Sequence, residues 1–178
     1  IYRHPEWFPE GQGFAVKHLV PQTIKAVEGI IAPSRSTATD IQELFAVSEN
    51  RITVIPHGVE ERFFQATPLI RPPGRPGHSY VLFVGTLEPR KNLVRLIRAY
   101  ASLPVGITTR FDLVLAGEKG WKYQDIFKTL ESLPPGVREG VRILGHYPGE
   151  ELPGLFQGAA VFVYPSLYEG FGLQVLEA

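Results

Sequence analysis

Four short apolar runs lie in the second half of this 178-residue chain, each closed by glycine or proline. They are 80–84 (YVLFV) before Gly85, 111–116 (FDLVLA) before Gly117, 141–144 (VRIL) before Gly145, and 161–164 (VFVY) before Pro165. Such runs, rich in β-branched and aromatic residues and bounded by turn formers, have the composition of buried strands. Between them come stretches with helical spacing: 93–103, with Leu93, Leu96, Ile97 and Tyr100 on one face, then 123–133 and 150–158. Residues 173–178 open a further helix. Parallel neighbours need a long connection, and a helix supplies it. Strict alternation therefore restricts this half to a parallel sheet with right-handed crossovers, an α/β fold of the doubly wound kind.

The first sixty residues show the same alternation on a smaller scale. Helical spacing runs through Ala15, Leu19, Ile24 and Val27, with Pro21 expected to kink or break the helix and Gly29 to stop it. Residues 30–33 read as a short strand. Ser34 or Ser36 can cap a helix carrying Ile41, Leu44 and Phe45, and 52–55 form a second strand. Residues 65–78 (QATPLIRPPGRPGH) hold four prolines and two glycines, which leaves no room for a helix or central strand. The expected organisation is two Rossmann-like units, 1–66 and 79–178, joined by a stiff linker over 67–78. No internal repeat is visible beyond the alternation itself.

Composition excludes several classes. Eighteen basic and eighteen acidic residues cancel, so no global field would draw nucleic acid. The absence of cysteine rules out disulfides and thiolate metal sites. The three aspartates, Asp40, Asp112 and Asp125, form no Asp-x-Asp pair, and the five histidines lack ligand spacing, so no metal cofactor is expected. No Walker loop, nucleophile elbow or Gly-x-Gly-x-x-Gly after the first strand of the second unit occurs, which argues against NAD chemistry. With no signal peptide and no long apolar run, a cytoplasmic setting is expected. The chain has no methionine and stops inside its apparent last helix, so it is expected to be a piece of a longer protein.

Ligands of an open parallel sheet bind at the carboxyl ends of its strands. The last such end turns through Glu169, Gly170, Phe171 and Gly172 into the helix that starts at Leu173 and carries Glu177. Free N–H groups and the helix dipole make that turn suited to an anion. Two carboxylates with seven residues between them suit hydroxyl groups instead, and the ligand with both phosphates and hydroxyls is a sugar nucleotide. The first end carries Arg90 and Lys91, which would neutralise a diphosphate. Each has a plainer reading. Arg90 and Lys91 could be a solvated pair, although cations are unfavourable at a helix N-terminus. Glu177 could be a solvated helix residue, and the Phe171 ring fits core packing better than ligand contact.

These residues resemble the Glu-x7-Glu motif of retaining GT-B glycosyltransferases of family 4, through E-G-F-G-L-Q-V-L-E at 169–177. Three further stretches agree in order: Ala32-Pro33-Ser34, Val54-Ile55-Pro56-His57-Gly58-Val59, and Val84-Gly85-Thr86-Leu87-Glu88-Pro89-Arg90-Lys91-Asn92-Leu93. The last is most similar to bacterial mannosyltransferases of surface-polysaccharide assembly. The resemblance implies a GT-B fold, with 1–66 the end of the N-terminal, acceptor-side domain and 79–178 the donor domain. It implies that Glu169 is the catalytic-site carboxylate on the transferred sugar and that Glu177 binds the nucleotide ribose. Lys91 would contact the diphosphate, with Gly85 beside it. N–H groups around Phe171 and Gly172, from Gly170 to Leu173, would meet sugar and phosphate, and the segment ending at Tyr147 would run along the base. Many relatives have arginine where this chain has Thr86, and Arg90 is the candidate substitute.

The implied reaction moves a hexose, mannose favoured, from a nucleoside-diphosphate sugar to an acceptor hydroxyl, with retention and without a metal. GDP-mannose is the favoured donor and a UDP-sugar the second. The acceptor would be a glycan or lipid-linked glycan, with peripheral membrane contact through regions outside this chain. The piece alone is expected to be inactive. Two other readings share the fold: a sugar-nucleotide 2-epimerase, for which no acid/base constellation is evident, and a non-catalytic sugar-nucleotide-binding subunit, which would not need both glutamates.

Overall fold

The apolar runs of the second half do become neighbouring strands, in an order that the sequence does not display. In the computed structural model, which describes residues 1–65 and 73–178, the chain forms two compact units. One comprises Ile1–Gly58 with Tyr168–Leu173, the other Val59–Leu167 with Gln174–Ala178. The first half of the expected linker, 67–72, lies outside the described residues.

The first unit contains helix α1 (Gln12–Ala26), strand β1 (Ile30–Ala32), helix α2 (Arg35–Phe45) and strand β2 (Ile52–Val54). The two strands pair in parallel, Ile30 opposite Ile52 and Ala32 opposite Val54. Ser34 is the cap of α2, its Oγ accepting from the Thr37 N–H at 3.0 Å. Two expectations need correction. Pro21 lies inside α1, which runs through it, and the helix ends at Ala26 rather than at Gly29. The apolar spacing of α1 also buries little: Leu19 is 60% exposed. Spacing sets which side chains share a face, but only a packing partner makes that face a core.

The second unit contains β3 (Ser79–Val84), α3 (Leu93–Ala101), α4 (Val105–Thr108), β4 (Phe111–Ala116), α5 (Gln124–Glu131), α6 (Pro135–Arg138), β5 (Val141–Gly145), α7 (Leu152–Gln157), β6 (Val161–Phe162) and α8 (Leu173–Glu177). Its parallel sheet has the order β5-β4-β3-β6. Alternate residues of β3 and β4 feed two cores. Phe83, Leu113 and Leu115 pack with Leu93, Ile97 and Tyr100 of α3 and Ile126 and Leu130 of α5. Tyr80, Leu82, Val114 and Ala116 pack with Leu155 and Phe156 of α7. Helices thus cover both faces, as the near-continuous apolar strands require. The final run is the exception. Expected as a buried strand over 161–164, it pairs for only two residues at the sheet edge, and Val161 is 52% exposed.

At the amino end of the sheet, Asp112 is fully buried. It accepts from the Arg75 backbone N–H at 2.5 Å and from Arg75 Nε at 2.8 Å, and lies 3.2 Å from His78 Nδ1. Arg75 also donates to the Thr108 carbonyl at 2.9 Å. The charged pair fixes how the chain enters β3. Asp112→Ala would leave the guanidinium without its partner and is expected to cost about 3 kcal/mol. Urea unfolding measures this, and a loss below about 1 kcal/mol would show that the pair is dispensable.

Candidate functional site

In the second unit the strand order reverses after β5: β3, β4 and β5 step one way, and β6 returns to the other side of β3. A crevice opens at the carboxyl ends of the two strands flanking such a switch point, here β3 and β6. The sequence offered four strand ends without ranking them, and this topology selects two.

The β3 exit is built on close backbone approach. Gly85 (φ +147°), Gly117 (φ +153°) and Gly145 (φ +70°) each leave a strand with a backbone suited to glycine. The Gly85 N–H donates to Ala116 O and the Gly117 N–H to Gly145 O, both at 2.9 Å. Leu87 N–H donates to Glu118 O at 2.8 Å. The three ends are therefore laced side by side.

Residues Pro89–Lys91 then form a 3₁₀ turn, closed by Asn92 in the left-handed region (φ +58°). The turn sends Lys91 back over the strand end. Its side chain would meet a Cβ on Gly85 with Cε at 3.5 Å and Nζ at 3.7 Å. Lys91 is only 5% exposed. Its Nζ donates to Tyr164 Oη at 3.4 Å and lies 5.1 Å from that ring's centre. Tyr164 Oη in turn donates to Gln174 Oε1 at 3.1 Å. Asn92 Nδ2 donates to Pro165 O at 3.0 Å, and Leu167 N–H to Arg90 O at 2.9 Å. The exits of β3 and β6 are thus tied together around one buried ammonium group.

Arg90 is placed differently. Its guanidinium donates to Glu88 Oε1 at 2.6 Å, and Glu88 is 2% exposed. Tyr147 packs beside the Tyr80 core, and burial, then the neighbouring Glu151 charge, push its hydroxyl above the usual phenol range. Glu177 is half-buried on α8. Desolvation raises its carboxyl above the usual range, Arg62 opposes the shift and Glu60 adds to it.

Gly85, Arg90, Lys91, Tyr147 and Glu177 belong to the second unit, whereas Glu169, Gly170, Phe171, Gly172 and Leu173 belong to the first. There the Gly170 carbonyl accepts from Ser34 Oγ and, at 3.0 Å, from Thr37 Oγ1. Tyr168 Oη donates to Asp40 Oδ2. The Phe171 ring sits edge-on to His57, centroids 5.1 Å apart, rather than in a core. Gly172 enters α8 with φ +90°.

Reading the sequence missed Tyr164, Gln174, Asn92 and Glu88. Their only signal was position: Glu88 and Asn92 follow the end of β3, Tyr164 follows β6, and Gln174 lies in the first turn of α8. Among the described residues no group of three or more His, Asp or Glu is placed to hold a metal ion, and no helix is long and apolar enough to cross a membrane.

Residues 70–178 match the family model described as glycosyl transferases group 1, and 2–63 match that of glycosyltransferase family 4. The O-antigen chain mannosyltransferase B of Escherichia coli is 33% identical over all of this chain, which covers 48% of that protein. The MMP alpha-(1->4)-mannosyltransferase of Mycolicibacterium hassiacum is 29% identical over 86% of the chain and 35% of its own length. The chain therefore spans at most about half the length of these two relatives. Among solved structures, Anabaena HepE in complex with UDP and glucose superposes with TM-score 0.69 at 18% identity, over 92% of this chain and 47% of that one. WaaG, a glycosyltransferase involved in lipopolysaccharide biosynthesis, superposes with TM-score 0.65 at 20% identity, over 83% and 40%. These share the fold, and with more than half of its residues under one family model the chain belongs to the glycosyl transferases group 1 family and has the GT-B fold.

Proposed function

We propose that this chain supplies the donor side of a retaining glycosyltransferase that moves a hexose, mannose favoured, from a nucleoside-diphosphate sugar to an acceptor hydroxyl in glycan assembly. One observation carries the reading: a nearly buried ammonium group, Lys91, at the switch point of a parallel sheet, pressed against the Gly85 backbone. A desolvated cation at that position suits a diphosphate. The mannosyltransferase names of the relatives favour mannose, and O-antigen in one of those names favours a surface glycan as acceptor.

The residues divide the work by chemistry. Lys91 stabilises the negative charge that grows on the departing diphosphate as the bond from the anomeric carbon to phosphate oxygen breaks. Its contact with the Tyr164 ring helps to orient the amine. Glu169 takes the hydroxyls of the transferred sugar and Glu177 those of the ribose. The Glu177 carboxylate can accept hydrogen bonds from two neutral hydroxyls, and charge-assisted bonds of this kind are the strong ones. The new bond to the acceptor oxygen forms on the face that the phosphate leaves, and the acceptor proton passes to a phosphate oxygen. No metal is required in this scheme.

Calorimetry of the intact protein with GDP, UDP, GDP-mannose and UDP-glucose tests the reading. A nucleoside diphosphate should bind, and Lys91→Ala should weaken it about tenfold to 100-fold, the range of one charged hydrogen bond. Lys91→Arg should not restore binding, because a planar guanidinium does not fit between Gly85 and the Tyr164 ring. Binding unaffected by Lys91→Ala would remove the phosphate site from the proposal. An inverted anomeric configuration in the product would refute retention.

A further inference from the structure

Both neighbours of Glu169 are held by one side of helix α2. Ser34, Thr37 and Asp40 follow one another at intervals of three residues, which places them along a single side of the helix. Ser34 and Thr37 both donate to the Gly170 carbonyl, and Asp40 accepts from the Tyr168 hydroxyl. Asp40 is itself fixed from outside the helix, since Arg3 Nε donates to its Oδ1 at 2.9 Å. Burial, then the hydrogen bond to Asp40, keep the Tyr168 hydroxyl above the usual phenol range, so it remains a donor. A residue whose preceding side chain and following carbonyl are both anchored has little backbone freedom left. Gly170 would otherwise be the loosest point of the turn.

We infer that Ser34, Thr37 and Asp40 are positioning residues which set the aim of the Glu169 carboxylate through Tyr168 and Gly170. The inference rests on the role proposed above for Glu169. The helix face contributes no group to the sugar. It converts the rigidity of α2 into rigidity of a glycine-bracketed turn that has no regular structure before α8. A carboxylate that must meet particular hydroxyls in the transition state gains rate from such fixation, and a shift of about 1 Å can cost about 100-fold.

The test uses the intact protein with Thr37→Val and Tyr168→Phe, each of which deletes one anchoring hydroxyl, with all the bonds it makes, and little volume. Ser34 is left alone because its hydroxyl also caps α2. Two measurements are paired. Backbone amide hydrogen exchange of residues 170–173 should speed up in each variant while that of α5 stays unchanged. Turnover should fall about tenfold in each single variant and about 100-fold in the double, with the Kd for nucleoside diphosphate unchanged. Thr37→Ser, which restores a hydroxyl, should recover both. Unchanged exchange at 170–173, or unchanged kcat in the double variant, would overturn the inference. Faster exchange in a protein that transfers no sugar from any donor would uphold the anchoring and count against the glycosyltransferase reading alone.

Discussion

Glu169→Gln is expected to lower turnover by about 100-fold to 1,000-fold, the cost of one preorganised group aimed at developing transition-state charge. Nucleoside-diphosphate affinity should stay unchanged, because the role proposed for Glu169 is on the transferred sugar and not on the diphosphate. Glutamine keeps the length and one acceptor oxygen, so the variant isolates the charge. A carboxylate on the transferred sugar strengthens its hold as the anomeric carbon becomes positive, and an amide does not. The loss should therefore fall on kcat far more than on KM for the donor. Steady-state kinetics with the best donor from the binding screen checks this. An increase in KM with kcat intact would mean that Glu169 binds substrate and transition state equally. Unchanged kinetics would remove it from the site. Comparison with Thr37→Val is informative, since that variant leaves the carboxylate in place and disturbs only its aim.

Much of this arrangement was legible because it depends on local pattern. The runs at 80–84 and 111–116 became the two central strands, since strands buried on both faces must be apolar throughout. Lys91 was legible from its place after such a strand. Other features depend on pairings far apart in sequence. Tyr164 is 73 residues from Lys91, and Asp40 is 128 from Tyr168. Nothing in the spacing of either pair announces contact. The two-residue length of β6 was hidden for the same reason: composition reports what a run can do, whereas its position at the sheet edge decides how much of it pairs. A repeat also escaped notice. Ser102-Leu103-Pro104 and Ser132-Leu133-Pro134 each open a one-turn helix, α4 and α6, that delivers the chain into the next strand. Ile107 N–H donates to Pro104 O and Val137 N–H to Pro134 O, and the same correspondence holds at Arg110 with Ile107 and Gly140 with Val137. Only a few identical residues define this repeat, because the turn needs a proline to set φ and little else.

Gly117→Ala is expected to destabilise the second unit by at least about 4 kcal/mol, a size reserved for substitutions with a specific structural cause. The added Cβ would lie 2.0 Å from the Gly85 carbonyl oxygen and 2.6 Å from its carbon. Both are backbone atoms, so no side chain can rotate away. Gly117 also holds φ +153°, which a residue with a Cβ adopts only under strain. Relief by moving Gly85 would break its hydrogen bond to Ala116, and relief by moving Gly117 would break that to Gly145. Either shift loosens the strand ends that hold Lys91 in place, so nucleoside-diphosphate binding should fall along with stability. Gly136→Ala in α6 is the internal control. Nothing lies within 4 Å of its Cβ and its φ is not positive, so it should be neutral or stabilising by up to about 1 kcal/mol. Urea midpoints of the two variants, read beside the wild type, decide the matter. If Gly117→Ala unfolds within about 1 kcal/mol of wild type, the close crossing of the β3 and β4 exits is not what holds these strand ends, and with them Lys91 of the proposed phosphate site, in place.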